Sequence, residues 1–327
     1  MQQQQWNHRS DGAATRSSNE HGVKRRLQKP VLAALSFLLA MICLCPLPAH
    51  AVDMGPVVNA FDTLRWVAYS PTHYNPHINK QPNDNDVRSD LQTLKNCGFQ
   101  GIVTYGCSGA NATNIPRIAR ELGMKIIVGV WNPADTNGEI KSAIGLAKNN
   151  PNVIAVSVGN EGLEDKYKMW SPEHMHYSLA TLKAAIDKVR AEGGKPTTSS
   201  QQWKSYTEED FRNVCDFMFP TIHPFWEHVY DPQKGVEFTV SHIDTIKQVS
   251  GDKIVVPKEV GYPTCSPCSE ATQRDYYVGL AKSPFKFVYF EAFDGDWKNQ
   301  NTNATERHWG LFNEHRSPKL AAKALKP

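Results

Sequence analysis

Acidic side chains follow several apolar segments of this chain, and two of them stand in loops that contain glycine. Glu161 ends the tripeptide Gly-Asn-Glu directly after a run rich in Val and Ile, and Glu259 is followed by Val-Gly-Tyr-Pro. Glu291 ends a third apolar run, and His223 begins the polar and aromatic stretch His-Pro-Phe-Trp-Glu after a fourth. A single glutamate in such a place is more often solvated or salt-bridged than catalytic, but a pair is informative.

Two carboxyl groups that flank one bond are what the hydrolysis of a glycoside requires. One group protonates the leaving oxygen, and the other attacks the anomeric carbon or activates water. Glu161 and Glu259 are the candidate pair, and a retaining enzyme would hold them about 5 Å apart. The acid must stay protonated near neutral pH, whereas a nucleophile must stay ionised. Lys258 precedes Glu259, and because neighbouring strand residues face opposite sides, we expect Lys258 to point away from the site.

These residues need a scaffold that brings the ends of several strands together. Short apolar runs alternate with helical patterns eight times, which is typical of βαβ units and a parallel sheet. In a chain of this size the repetition predicts an α/β fold, a closed (β/α)8 TIM barrel, whose active site lies at the carboxyl ends of the strands. An open doubly wound sheet is the competitor, but no Gly-rich phosphate loop follows an early strand. The predicted strands are Arg65–Tyr69, Gly101–Thr104, Lys125–Val130, Val153–Val158, Pro196–Ser199, Asp216–Pro220, Ile254–Lys258 and Phe287–Glu291. The predicted helices lie near 86–97, 114–122, 138–149, 173–193, 207–213, 237–249, 269–281 and 317–325.

Aromatic side chains, Tyr105 and Trp131 among them, stand at or just after the predicted strand ends. Flat rings with a polar group can stack on the apolar C–H faces of sugars, although large rings also fill a barrel for stability. His223 could hydrogen-bond the nucleophile or a substrate hydroxyl, but a lone histidine is more often a structural residue. The candidate sugar-contacting aromatic residues are Tyr69, Trp203, Trp226, Tyr262 and Trp297, with Tyr262 and Trp297 the strongest.

The first 51 residues differ from the rest of the chain. A basic segment ends at Arg26, an apolar stretch runs from Val31 to Cys45, and Ala49-His-Ala51 follows. This order predicts a signal peptide over 1–51, or a signal anchor if it is not cleaved, and a single catalytic domain over 52–327. We therefore expect a secreted, periplasmic or cell-wall-associated protein, with no stable membrane insertion once the leader is cleaved.

The charge of the predicted domain excludes some partners. The chain has 36 Lys and Arg against 33 Asp and Glu, but six of the basic and two of the acidic residues fall in 1–51. The remainder, with 30 basic and 31 acidic residues, has a net charge near −1. Such a domain offers no electrostatic attraction for nucleic acid and suits an uncharged substrate. No compact set of metal ligands is evident, so we expect neither a metal nor another cofactor.

Five cysteines remain after the leader. In an exported protein, Cys265-Ser-Pro-Cys268 predicts a local disulfide in a loop. Cys97 and Cys107 could form a second bridge, which would leave Cys215 free and buried. Spacing alone does not fix this connectivity.

The order of these motifs resembles glycoside hydrolase family 17, the β-1,3-glucanase family with plant, fungal and bacterial members. The resemblance covers nearly all of the chain after the leader. Two departures from the plant pattern, Tyr262 where Trp is usual and His223-Pro-Phe-Trp226 where Tyr-Pro is common, favour a bacterial or fungal type of member. The matching segments are Val156–Glu161, Val255–Thr264, Tyr289–Lys298, Trp66–Pro71 and Trp309–Phe312.

The resemblance implies a retaining mechanism on β-1,3-glucan, by endo or exo cleavage. It implies Glu161 as the acid/base, Glu259 as the nucleophile and Asn160 as the partner of the sugar 2-hydroxyl. Glu291 and Trp297 match positions at the glycone end of the cleft. A β-1,3-glucan transglucosylase would use the same two glutamates and transfer the sugar to another glucan. A non-catalytic carbohydrate-binding barrel is a further alternative, although binding alone needs no carboxylate pair.

Overall fold

Six parallel strands form one sheet in the computed structural model, which describes residues 52–164, 175–301 and 304–325. The spatial order is β5-β4-β3-β2-β1-β6, so consecutive strands are neighbours and the last strand pairs with the first. The predicted parallel α/β fold is therefore confirmed. The strands are β1 (Trp66–Ala68), β2 (Gly101–Val103), β3 (Lys125–Val130), β4 (Val153–Asn160), β5 (Thr197–Ser200) and β6 (Val288–Tyr289).

Two of the eight predicted strands are not strands in the structure. Segments 216–220 and 254–258 make isolated parallel bridges instead, such as Met218 with Val255 and Thr221 with Glu259. Further bridges join Thr221 to the residues after β5 and join Val260 to β6. Pro220 and Pro257 lie in these segments and lack the N–H group that a continuous ladder needs, which explains the interruption.

Helices alternate with the strands, and each predicted helical stretch contains one. Local signals place their ends: Asn83 and Asp86 form a capping box, and Ser178 and Asp231 each cap a helix with a side-chain oxygen. The first helix was not predicted. The helices are α1 (Gly55–Thr63), α2 (Asp84–Asn96), α3 (Asn114–Glu121), α4 (Glu139–Asn149), α5 (Leu179–Gly193), α6 (Glu209–Val214), α7 (Pro232–Lys247), α8 (Glu270–Ala281) and α9 (Leu320–Ala324). Short 3-10 helices lie at Pro76–Ile78, Gly109–Asn111, Trp203–Thr207, Pro224–Glu227, Asp296–Asn301 and Ala304–His308.

The hydrophobic core consists of buried side chains on both faces of the sheet, including those that pack between the sheet and the helices. All residues of β4 are buried, as expected for a parallel strand covered on both faces. Helix α1 adds the ring of Phe61, whose centroid lies 6.4 Å from Phe217 and 6.2 Å from Phe219. The Trp66 indole N–H donates to Ala60 O at 3.1 Å, which ties α1 to the first strand.

Within the described residues neither predicted disulfide is present, whether Cys265–Cys268 or Cys97–Cys107. The Cys97 Sγ lies 3.3 Å from Ala322 O, whereas the Cys107 Sγ lies 2.8 Å from Gly129 O. These different surroundings separate the two residues that the spacing suggested as a pair. Cys215 is buried, as expected.

The predicted leader, residues 1–51, lies outside the described residues. Among the helices of the described ranges, none is both long and apolar enough to cross a membrane.

Candidate active site

The end of β4 turns Glu161 into the site through two unusual backbone conformations. Gly159 has φ +76°, and a Cβ atom there would lie 2.3 Å from the Tyr177 hydroxyl oxygen. Glu161 itself has φ +50°, in the left-handed region that disfavours most side chains. Its backbone N–H donates to Ser200 O at 2.9 Å, which ties this turn to the end of β5. The backbone is therefore strained at Glu161, the residue that carries the carboxylate of this turn.

Thr221 contacts both candidate catalytic residues. Its hydroxyl donates to the half-buried Glu161 carboxylate at Oε1. Its backbone forms a parallel bridge with Glu259, and the N–H of the next residue, Ile222, donates to Glu259 O at 2.9 Å. Thr221 thus connects the two glutamates at one site, through its side chain to Glu161 and through its backbone to Glu259.

Glu259 is buried, and three side chains hydrogen-bond its carboxylate. The Tyr105 hydroxyl donates to Oε1 at 2.9 Å, and the Lys258 ammonium donates to the same oxygen at 3.0 Å. His223 Nε2 lies 3.2 Å from Oε2 and donates to it in the tautomer that carries the proton there. These partners come from three different parts of the chain, so they position the carboxylate from several directions.

The electrostatics of Glu259 favour its ionised form. Burial alone would raise the pKa of this carboxyl, but the Lys258 cation and the His223 hydrogen bond outweigh it and hold the pKa well below its ordinary value. Burial alone would lower the pKa of His223, but the hydrogen bond and the negative charge of Glu259 outweigh it. The pKa of His223 is therefore raised above its ordinary value. Burial and the nearby Glu259 charge raise the pKa of Tyr105 well above its usual range, so its hydroxyl stays protonated and donates.

The expectation that Lys258 points away from the site is wrong. Its side chain is buried and contacts Glu259, and it also donates to Asn160 Oδ1. Strict alternation applies to regular strands, but Lys258 occupies a bend between the bridges of Val255 and Glu259. The bend and the long side chain let Lys258 reach the same site as its neighbour.

Glu291 and Trp297 lie together near a second lysine. Glu291 is fully buried, and the Lys298 ammonium forms an ion pair with its Oε1. The same ammonium lies 5.7 Å from the centre of the Trp297 ring, which packs edge-on against Tyr74. Burial raises the pKa of Glu291 to about 7, although Lys298 opposes this shift.

Two other predicted aromatic residues have rings that reach solvent. Trp226 is 42% exposed and lies next to the buried Trp309, with ring centres 6.0 Å apart. Trp309 in turn packs against His223 at 5.1 Å, which connects Trp226 to the residues around Glu259. Trp203 is half-buried and packs edge-on against His242 at 4.0 Å.

Tyr69 and Tyr262 do not fit the predicted role in sugar contact. Tyr69 is buried, and its hydroxyl donates to Asp90 Oδ2 at 2.9 Å. Tyr262 is fully buried, donates to Val229 O and packs against Tyr276 at 4.6 Å. Both rings therefore fill the interior between sheet and helices, which is the alternative use of large aromatic residues in such a fold.

Sequence reasoning missed two residues of this site and undervalued a third. Lys258 was set aside by the alternation argument, and Thr221 was not considered. Tyr105 was noted only as one of several aromatic residues at strand ends. Its position two residues after β2 was the available signal, because the carboxyl end of that strand lies at the edge of the sheet where the site was predicted.

The residues of this site do not form a metal centre. Across 52–164, 175–301 and 304–325, no three or more His, Cys, Asp or Glu side chains cluster in a way that could hold a metal ion.

A family model supplies an independent comparison. Residues 67–310 match the model described as the BtgE/BtgC glycoside hydrolase domain. Among curated relatives, a probable beta-glucosidase btgE of Aspergillus fumigatus is 24% identical over 237 residues, which is 69% of this chain and 41% of that protein. A probable family 17 glucosidase, SCW10 of Saccharomyces cerevisiae, is also 24% identical over 237 residues, and the match covers 69% of this chain and 59% of that protein. The chain thus spans about two fifths to three fifths of these relatives.

Solved structures share the fold. A glycoside hydrolase family 17 beta-1,3-glucanosyltransferase from Rhizomucor miehei superposes with a TM-score of 0.66 at 22% identity, covering 80% of this chain and 97% of that one. An endo-laminarinase from Formosa superposes with a TM-score of 0.67 at 20% identity, covering 81% and 86%. The TM-scores show that the fold is shared. Because the identities are low, the chemistry must be argued from the residues of the site.

Proposed function

The chain belongs to the BtgE/BtgC glycoside hydrolase family, and on this premise we propose that it is a retaining enzyme acting on β-1,3-linked glucan. In this proposal Glu259 is the nucleophile and Glu161 is the acid/base. The observation that carries the proposal is the buried Glu259 carboxyl group, hydrogen-bonded by Tyr105, Lys258 and His223 and connected to Glu161 through Thr221.

The environment of Glu259 suits a nucleophile. A carboxylate attacks the anomeric carbon only when it is ionised, and Lys258 and His223 keep the pKa of Glu259 low despite its burial. The three donors fix both carboxylate oxygens and so restrict the direction of attack. Such preorganisation lowers the cost of reaching the transition state.

Glu161 has the complementary place in the first step. It lies on the turn after β4, half-buried, and its Oε1 accepts from the Thr221 hydroxyl. In the first step a bond forms between a Glu259 oxygen and the anomeric carbon, the glycosidic C–O bond breaks, and the Glu161 proton passes to the leaving oxygen. In the second step the oxygen of the incoming hydroxyl bonds to the anomeric carbon, the bond from that carbon to Glu259 breaks and releases the Glu259 carboxylate, and the ionised Glu161 takes the hydroxyl proton.

The incoming hydroxyl decides between two activities. Water gives a glucanase, by endo or exo cleavage, and a sugar hydroxyl gives a β-1,3-glucan transglucosylase. The second candidate is supported by the fold shared with the glucanosyltransferase from Rhizomucor miehei, and the first by the fold shared with the endo-laminarinase.

Several side chains around the pair are proposed to hold the sugar. In this proposal Asn160 hydrogen-bonds the 2-hydroxyl of the glycone. Glu291 has a buried Oε2 without a partner among the described residues, which could accept or donate to another sugar hydroxyl. A carboxyl with a pKa of about 7 can donate or accept a hydrogen bond at that oxygen. The aromatic candidates for stacking are Trp203, Trp226 and Trp297, and His223 lines the same site through Glu259.

We further propose that the sheet closes into the (β/α)8 barrel. Support comes from the parallel bridges of segments 216–221 and 255–260, which connect the end of β5 to β6, while β6 pairs with β1. For localisation we propose that residues 1–51 direct export and that the domain from residue 52 acts in the periplasm, in the cell wall or outside the cell.

The test is an incubation of residues 52–327 with laminarioligosaccharides, with products resolved by mass and chain length over time. Only shorter products would establish a glucanase and show endo or exo action. Products longer than the substrate would establish the transglucosylase. Binding without turnover, unchanged by Glu259→Gln, would contradict the proposal in favour of a binding barrel.

A further inference from the structure

Lys258 is a buried cation with contacts on three sides. Only 2% of its side chain is exposed, and its ammonium donates to Glu259 Oε1 at 3.0 Å and to Asn160 Oδ1. The ammonium also lies 4.0 Å from the centre of the Tyr105 ring, whose face attracts cations. A buried ammonium is costly unless it is paired and hydrogen-bonded, so such a residue calls for a specific explanation.

We propose that Lys258 is a positioning residue that acts as the counter-ion of the site in both half-reactions and fixes the orientation of the Asn160 amide. The proposal rests on the proposed function, because it concerns the steps that Glu161 and Glu259 perform.

The counter-ion role follows from the movement of charge. In the first step Glu259 becomes a neutral ester as its oxygen bonds to the anomeric carbon, and Glu161 becomes negative as its proton leaves with the departing oxygen. The site therefore keeps one negative charge, which moves from Glu259 to Glu161. A cation that interacts with both carboxylates stabilises the charge before and after this step, without moving itself.

Lys258 has this double interaction. It hydrogen-bonds Glu259, and it contacts Asn160, the residue directly before Glu161. Burial lowers the pKa of Lys258, and the negative charges of Glu259 and Glu161 both oppose that shift. The same lysine therefore interacts favourably with each carboxylate when that carboxylate is ionised.

The other titratable groups around Glu259 are differently placed. His223 contacts the opposite carboxylate oxygen, Oε2, and it faces the charges of Glu161 and Glu306 as well. Tyr105 contributes a neutral hydroxyl to Oε1. Lys258 is thus the cation among the described residues that hydrogen-bonds both Glu259 and Asn160, the last residue of β4.

The contact with Asn160 sets the direction of its amide. An ammonium has only donors, so the amide oxygen of Asn160 must face Lys258, and the amide N–H groups then point elsewhere. Those N–H groups can donate to a substrate hydroxyl, as the proposed contact with the sugar 2-hydroxyl requires. Removing Lys258 would let the amide rotate and weaken that contact.

The first experiment compares the pH dependence of kcat/KM in the wild type, Lys258→Met and Lys258→Arg. An opposite charge lowers a carboxyl pKa by about 1–3 units, so the acidic limb should move to higher pH by about one unit or more in Lys258→Met. Lys258→Arg keeps the charge and should hold the limb within about half a unit, even if its rate falls. An unmoved limb in a folded Lys258→Met protein overturns the counter-ion role.

Lys253→Met is the matched control. Lys253 lies five residues earlier and is partly buried, and its ammonium donates to Arg212 O at 2.7 Å, away from the site. This variant removes a nearby but less buried lysine that does not contact Glu259, and it should leave the acidic limb unchanged. A shift of equal size in Lys253→Met would show that the Lys258 effect is not local, and would overturn the proposal.

A second readout does not depend on activity. Titration of the Glu259 carboxyl by 13C NMR, assigned by difference from Glu259→Gln, should show a higher pKa in Lys258→Met than in the wild type. If the wild type shows neither turnover nor a covalent adduct with a 2-deoxy-2-fluoroglucoside, the proposed function fails while this titration still tests the ion pair. If Lys258→Met does not fold, Lys258→Gln takes its place in both measurements.

The amide orientation has its own test. We compare kcat/KM for an aryl β-glucoside and its 2-deoxy analogue in the wild type and in Lys258→Arg and Lys258→Met. Loss of the 2-hydroxyl should cost the wild type about tenfold or more, and the ratio should shrink several-fold in Lys258→Met. An unchanged ratio would overturn the role of Lys258 in orienting Asn160.

Discussion

Glu259 and Glu291 make an instructive pair, because both are buried carboxyls that contact a lysine. Their pKa values nevertheless shift in opposite directions. Glu259 has a pKa well below its ordinary value, whereas burial raises the pKa of Glu291 to about 7. A lysine contact alone therefore does not decide the protonation state of a buried carboxyl.

The difference lies in the remaining partners. Both oxygens of Glu259 are hydrogen-bonded, with Tyr105 and His223 added to its lysine. Glu291 has a partner at Oε1 only, and its Oε2 is buried without a partner among the described residues. Negative charges of Glu306 and Asp294 raise its pKa further. The number of donors and the sign of the neighbouring charges thus separate a candidate nucleophile from a candidate neutral donor.

The largest expected effect comes from exchanging each carboxyl for an amide. Glu259→Gln should lower kcat/KM on laminarioligosaccharides by about 10⁴-fold or more, because the nucleophile is lost. Glu291→Gln keeps a hydrogen-bonding group of similar shape and should cost at most about 10²-fold. Equal losses in the two variants, or full activity in Glu259→Gln, would remove the functional distinction between the two sites.

A smaller effect is expected when Glu259 is made more like Glu291. Tyr105→Phe removes one neutral donor and should lower kcat/KM by about tenfold to a hundredfold. It should also raise the pKa of Glu259, so the acidic limb of the pH profile moves to higher pH. Tyr74→Phe is a suitable control, since Tyr74 is also partly buried near the site but contacts Trp297 rather than Glu259. A limb that moves equally in both variants would contradict the assignment.

Ionisation of Glu291 should destabilise the folded protein, whereas ionisation of Glu259 should stabilise it. Its folded-state pKa is raised from 4.5 to about 7, so the folded protein binds this proton more tightly than the unfolded chain does. Stability that depends on Glu291 is therefore greatest below about pH 4.5 and falls as the pH rises to 7. Relative to the wild type, Glu291→Gln should gain stability across that window, on the order of 1–3 kcal/mol. Thermal or denaturant unfolding at pH 4.5 and 7.5 measures the change, and a difference independent of pH would refute it.

The smallest effect is expected at the second lysine. Lys298→Met removes the cation from Glu291 and should raise the pKa of that carboxyl further, since Lys298 is the group that opposes burial there. We expect a loss in kcat/KM of only a few-fold, carried mainly by KM, because Lys298 also lies near the Trp297 ring. A loss as large as that in Lys258→Met would show that the two lysines have equivalent roles.

The regular strands and the positions of the helices after α1 could be predicted from sequence. Strand β3 has the predicted bounds, Lys125–Val130, because a continuous apolar run buried on both faces leaves few alternatives. Segments 216–220 and 254–258 are also mostly apolar, yet each includes a proline that interrupts the ladder. Their pairing depends on neighbours that lie far away in the chain, which periodicity does not reveal.

The site was predictable where it depends on strand ends and less so where it depends on partners. The proximity of Glu161 and Glu259 was predictable because parallel strands end at the same edge of a sheet. The contact of Lys258 with Glu259 depends on a bend that interrupts alternation, and the burial of Tyr69 and Tyr262 depends on Asp90 and Val229, which lie far from them in sequence. Local patterns do not contain this information.

The left-handed backbone of Glu161 has a consequence for engineering this chain. A residue with a β-carbon in that conformation costs about 1 kcal/mol or more relative to glycine, since glycine adopts it freely. Selection for thermostability alone should therefore favour replacement of Glu161 by glycine or asparagine, and such a protein would fold well and turn over nothing if the proposed role is correct. Stability screens of this protein should therefore include an activity assay, because stability and activity have opposite requirements at residue 161.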